Sequence, residues 1–128
     1  MLNQELNTEL DEFTLQYLVT ALWSSNDEST PEGGEPFDRN YTIEDIASST
    51  IEQAVRDCKA FLIEAATILA GYDLETAGHD FWLTRNHHGA GFWDGDYGKE
   101  DGDKLTELSQ KFRELSPILG DDGKIYFE

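Results

Sequence analysis

No lysine or arginine occurs before Arg39, while nine acidic residues fall within positions 1–38. Over all 128 residues, nine basic side chains face 27 acidic ones, a formal charge of −18. That scarcity argues against direct binding of DNA or RNA, which draws its affinity from Lys and Arg displacing counterions from phosphates. The same field repels an anionic membrane surface and attracts basic proteins, including enzymes whose grooves are lined with Lys and Arg. Cysteine is almost absent as well. Cys58 stands alone, so no internal disulfide can form, and a reducing compartment, the cytoplasm, is the natural setting. On an apolar helix face, Cys58 is expected to be an inert packed thiol. No run approaches the ~20 apolar residues of a membrane span, since the oiliest stretch, 61–70, contains Glu64 and Thr67. The first residues lack the basic-then-apolar order of a secretory signal. No internal repeat is visible.

Large side chains are plentiful: Trp23, Trp82, Trp93 and seven phenylalanines can fill a core, which a disordered chain of this charge would lack. The length fits a single domain, residues 1–128. Leu6, Leu10, Phe13 and Tyr17 recur at helical spacing and predict a helix over 7–23. Residues 24–40 are rich in turn formers, carry charge and show no periodicity, which predicts a mobile acidic loop. Thr42 reads as a first cap, and Thr50 with Gln53 fits a reciprocal capping box. A central helix then follows through Ile51, Val55, Cys58, Leu62, Ala65 and Leu69, stopped at Gly71.

The aromatic, β-favouring stretch 79–85 and Gly91-Phe92-Trp93, joined by a polar bend at 86–89, predict paired strands. After an acidic turn over 94–103, Leu105, Leu108, Phe112 and Leu115 predict a short amphipathic helix ended by Pro117. Asp121-Asp122-Gly123 between two apolar runs predicts a closing hairpin. The expected fold is α+β, with helices packed on a small antiparallel sheet of about three to four strands.

The densest polar cluster lies between His79 and Asp94, where Arg85, Asn86, His87 and His88 are interleaved with Phe81, Trp82, Phe92 and Trp93. Imidazole, guanidinium and carboxylate gathered at one bend suit proton exchange or the grip of an anion. The alternative is that the aromatics are core and the charges tie strand ends. No Ser or Cys nucleophile falls within the cluster. One Cys and three His lack the paired spacing of zinc motifs, and no cofactor is implied. The turn from Asp94 has calcium-like composition, but position six is Lys99 and position twelve Leu105, so the EF-hand pattern fails. Gly89-Ala90-Gly91 lacks the frame of a phosphate loop.

The stretch Asp80-Phe81-Trp82-Leu83-Thr84-Arg85-Asn86-His87-His88-Gly89-Ala90-Gly91-Phe92-Trp93-Asp94, followed by Lys104-Leu105-Thr106 and Gly120-Asp121-Asp122-Gly123-Lys124-Ile125-Tyr126, resembles a recurrent type of small bacteriophage protein of uncharacterised activity. The resemblance covers about the last 50 residues. Gly often stands where His87 is here, so the matching polar positions are Arg85, Asn86, His88 and Asp94. It implies a phage source and a setting in the infected host cell.

Small size, acidity and this resemblance lead to the expectation of a phage accessory protein. Such a protein would bind and inhibit a basic host protein, for example a defence nuclease or another DNA-handling enzyme in an anti-restriction role, through a DNA-mimic-like surface of Glu5, Glu9, Glu12, Asp94, Asp96, Glu100, Asp101 and Asp103. The alternative is a small enzyme or ligand-binding domain centred on Arg85, Asn86, His88 and Asp94. The pattern does not decide enzyme activity and gives more weight to a binding role.

Overall fold

The computed structural model describes residues 10–27, 34–87, 91–93 and 97–128. Glu5, Glu9, His88, Asp94 and Asp96 therefore lie outside the described residues. The fold is α+β, but the described residues form two separate two-stranded antiparallel ladders, not one sheet of three or four strands.

Helix α1 spans Glu12–Trp23. Asp11 starts it by accepting the Thr14 amide at 2.7 Å, which satisfies an amide that the helix cannot. The helix thus begins later than the expected residue 7. Phe13, Tyr17, Leu18 and Ala21 face inward at helical spacing. Next, β1 (Asn26–Asp27) pairs with β2 (Glu35–Pro36), and a 3-10 turn at Phe37–Arg39 buries Phe37. The stretch expected to be a mobile loop is thus anchored at both ends, with residues 28–33 outside those described.

Thr42 is a cap, as expected, but of the 3-10 turn Ile43–Asp45: its amide donates to Asp45 Oδ2 at 2.8 Å, and its hydroxyl accepts from Glu44 N at 3.2 Å. Helix α2 spans Ser48–Leu69. Thr50 is not its cap, because the helix starts after Ala47 and already encloses Thr50, and Gln53 binds Asp57 instead.

The stretch 79–85 is not a strand. It is the second half of helix α3, Leu74–Arg85, capped by Asp73, whose carboxylate accepts the Thr76 amide and hydroxyl. Ala77, Gly78 and every residue from Asp80 to Arg85 are buried. A helix enclosed on all sides shows no 3.6-residue pattern in its sequence, which is why its aromatics read as strand. Gly78 is what lets α1 lie against it: a Cβ there would meet the Phe13 carbonyl oxygen at 2.1 Å. Residues 91–93 form turns, not a partner strand.

Helix α4 spans Gly98–Ser109, so the latter part of the expected acidic turn is helical. It ends well before Pro117, which instead opens β3 (Pro117–Leu119), paired with β4 (Ile125–Phe127). The hairpin is present as expected. Gly123 takes φ 79°, closing a three-residue loop that Gly120 and Lys124 bridge at 2.8 Å.

The core is aromatic. Phe61 stacks on Phe81 at 4.2 Å between centroids and on Phe92 at 5.7 Å, and Tyr17 meets Phe81 at 5.3 Å and Trp82 edge-on at 5.3 Å. The β3/β4 hairpin docks beside the start of α2, where the Ala47 amide donates to Ile125 O at 2.9 Å, and Phe127 covers Trp82.

Candidate functional site

Arg85 ends α3 inside the protein, only 2% exposed. Its Nη1 donates to Asp57 Oδ2 and to the Tyr17 hydroxyl, each at 2.9 Å, while Nε and Nη2 both donate to the Arg113 carbonyl at 3.0 and 2.6 Å. Its guanidinium also sits over the Phe112 ring, 5.2 Å from the centroid. One residue thus ties together α1, α2, α3 and the segment after α4. Asn86 continues the tie: its Nδ2 donates to Trp82 O and its Oδ1 accepts the Leu115 amide at 2.6 Å. Among the described residues, the two members of the expected site that can be placed, Arg85 and Asn86, do not open onto a polar cluster. Arg85 and Asn86 hold the fold, the carboxylate paired with Arg85 is Asp57, and His88 and Asp94 lie outside the described residues.

The neighbouring polar residues are occupied in the same way. Asp80 accepts from the Tyr97 hydroxyl at 2.8 Å, and Thr84 Oγ1 accepts the Phe92 amide at 3.0 Å. His79 Nδ1 lies 2.9 Å from Thr20 Oγ1, and Trp23 stacks on its ring. His87 is exposed with φ 57°. Cys58 is buried, and that burial raises its thiol pKa well above the ordinary value. Burial likewise drives the Tyr17 phenol far up, with Arg85 opposing it.

The acidic residues divide. Asp11, Asp45, Asp73 and Asp122 satisfy backbone amides. Asp101 accepts the Tyr72 hydroxyl at 2.9 Å, while Glu100 and Asp103 form i,i+4 pairs with Lys104 and Lys99. The α4 carboxylates expected to meet a partner therefore already have local partners. Glu12 differs. It stands exposed at the start of α1, on the side where Leu15 (40% exposed), Val19 (38%) and Trp23 (45%) form an outward ridge at i, i+4 and i+8. Glu75 joins Gln16, Thr76 and His79 around a shallow hollow beside that ridge.

A larger cleft, about 560 Å³, opens over the Arg85 tie. Tyr17, Asp57 and Arg85 line it together with Ser49 and Thr50 of the α2 start and Lys111 and Arg113 beyond α4. Of these only Arg85 was among the expected site residues. Asp57, Tyr17 and Lys111 carry no motif that would reveal them, because each reaches the cleft from a different element. Among the described residues, no three His, Cys, Asp or Glu side chains gather as metal ligands would, and no helix is long and apolar enough to cross a membrane.

No family model, curated protein or solved structure matches the chain.

Proposed function

We propose that this is a binding protein: a phage accessory protein whose acidic surface engages and inhibits a basic host protein, of the kind that handles or defends against DNA. The observation that carries the reading is the Leu15–Val19–Trp23 ridge on α1, set in the part of the chain that has nine acidic residues and no basic one before Arg39. Apolar side chains at one face, with Trp among them, supply the desolvated contact that dominates binding energy. Surrounding carboxylates such as Asp11, Glu12 and Glu75 steer a cationic partner and reject anionic ones. The fit is to a protein surface that is both basic and partly apolar, as around a nucleic-acid groove. The resemblance of the last 50 residues to bacteriophage proteins supports a host-cell setting.

The test is capture from host lysate by the immobilised full chain at low and high salt, alongside the double variant Leu15→Ser/Trp23→Ala. The proposal expects a protein retained by the wild type, released as salt rises, and lost in the variant. A retained protein indifferent to the variant, or nothing retained at either ionic strength, overturns it.

A further inference from the structure

The hollow beside the Leu15–Val19–Trp23 ridge has a volume of about 160 Å³ and is bounded by Gln16 of α1 and by Glu75, Thr76 and His79 of α3. It is too small for a drug-sized ligand, whose sites run from about 300 Å³ upward, and suits the end of one side chain. Ridge and hollow share a wall, because His79 lines the hollow and Trp23 stacks on its ring at 5.5 Å between centroids.

Three of the four lining side chains are held in place. Gln16 Nε2 donates to Thr20 Oγ1 at 3.2 Å, the same hydroxyl lies 2.9 Å from His79 Nδ1, and the Thr76 hydroxyl donates to Asp73 Oδ2 at 2.6 Å. A wall fixed before binding spares an incoming group much of the ordering cost. With its amide nitrogen engaged by Thr20, Gln16 keeps its amide oxygen as an acceptor. Glu75 is the fourth. It is exposed and, unlike Glu100 and Asp103, forms no ion pair among the described residues. Neither helix supplies a cation for it: α1 contains no Lys or Arg, and the single Arg of α3, Arg85, is buried on Asp57. A carboxylate and an amide oxygen beside an aromatic pair and an apolar ridge are complementary to a cationic side chain with apolar neighbours.

We propose that this hollow receives one arginine side chain of a basic partner protein, its guanidinium on the Glu75 carboxylate and Gln16 Oε1, while apolar residues next to that arginine lie on the ridge. Arginine fits better than lysine. Its planar fork can give two donors to a carboxylate and keep others for the amide oxygen, it packs on aromatic rings, and it sheds water more readily than an ammonium. The inference rests on the reading of the ridge as a binding surface and adds the residue that the partner must present there.

The experiment uses the full chain and three blocked tripeptides in which the residue between two leucines is arginine, lysine or citrulline, the last keeping arginine's shape without its charge. NMR titrations at constant ionic strength follow the Trp23 indole and the amides of residues 16, 20, 75, 76 and 79. The arginine peptide should move these signals together, bind more tightly than the lysine peptide, and exceed the citrulline peptide by about threefold, as an exposed ion pair allows. Glu75→Gln, at an exposed position, should abolish the preference for arginine over citrulline, with the native spectrum and the citrulline affinity unchanged. Trp23→Ala should weaken all three peptides. Equal binding of the three, lost together in Trp23→Ala, overturns the arginine hollow and leaves the ridge as a docking surface. An arginine preference that disappears in Glu75→Gln but is indifferent to Trp23→Ala sustains the hollow and counts against the ridge. A preference that survives Glu75→Gln, shifts scattered over the surface, or no binding of the arginine peptide overturns the proposal.

Discussion

Arg85 Nη1 lies 2.9 Å from Asp57 Oδ2, a contact between α3 and α2 in which the arginine is 2% and the carboxylate 15% exposed. Breaking one side of such a buried pair strands the other, at a cost of about 3–5 kcal/mol. Arg85→Met should reach that range, since it also strips two donors from the Arg113 carbonyl. Asp57→Asn should cost less, because solvent reaches the carboxylate and the amide still accepts from Arg85. Arg85→Lys should not restore stability, because a compact ammonium cannot span the positions that the planar fork holds. Urea unfolding with an unchanged slope checks all three; a loss under about 1 kcal/mol for Arg85→Met would place the pair among weak surface bridges.

Gly78→Ala should be among the most damaging single methyl additions. The new Cβ would sit 2.1 Å from the Phe13 carbonyl oxygen, a backbone atom that cannot rotate away, so α1 must lift from α3. Overpacking of this kind costs about 3 kcal/mol, the upper end of its usual range, and Ala's better helix propensity offsets at most about 1 kcal/mol. A thermal melt of the variant decides it; an unchanged melting temperature would mean that the two helices are not held in this contact.

Cys58 should report global unfolding. Its thiol is buried and its pKa raised by that burial, so the reactive thiolate is suppressed twice over, by access and by protonation. As the only cysteine, it gives an unambiguous signal. Labelling by a thiol reagent in native buffer should be slow and should rise with urea in step with the loss of circular dichroism. Rapid native labelling would contradict the packing around it.

What the sequence reveals depends on how an element meets water. α1 and α2 each keep one solvated side, so Phe13 and Tyr17, and Ile51, Cys58, Ala65 and Leu69, stand out at helical spacing. The hairpin is legible for a different reason, since Gly123 is required at positive φ. α3 is hidden because nearly every residue from Ala77 to Arg85 is buried, although Asp73 followed by Glu75 and Thr76 does carry a helix-start signal. The site is less legible than the fold. Arg85 stands out as a charge among aromatics, but its partners Tyr17, Asp57 and Arg113 arrive from distant positions, and no spacing rule joins them. The acidic residues mislead in the opposite direction, because capping consumes several that look free.

The Asp122–Tyr126 bond, 2.6 Å between carboxylate and hydroxyl, should leave a signature at both ends of the pH scale. The Tyr126 hydrogen bond, followed by the Lys124 amide, lowers the Asp122 pKa below its ordinary 3.8. The same bond raises Tyr126 above its ordinary 10.0. For the depressed acid, the stabilisation is fully present above the unfolded value and is lost as pH falls through the folded one; for the raised phenol, it is present below the unfolded value and lost as pH rises through the folded one. Tyr126→Phe removes both effects together. The stability difference between wild type and Tyr126→Phe should therefore be level between about pH 5 and 9 and shrink outside that window in both directions. Tyr72, raised first by its hydrogen bond to Asp101, should add a loss on the alkaline side, which Tyr72→Phe would erase. Urea midpoints measured across pH for the three proteins separate these contributions, and a Tyr126→Phe difference that stays constant from acid to alkali would show that the bond is not formed in solution.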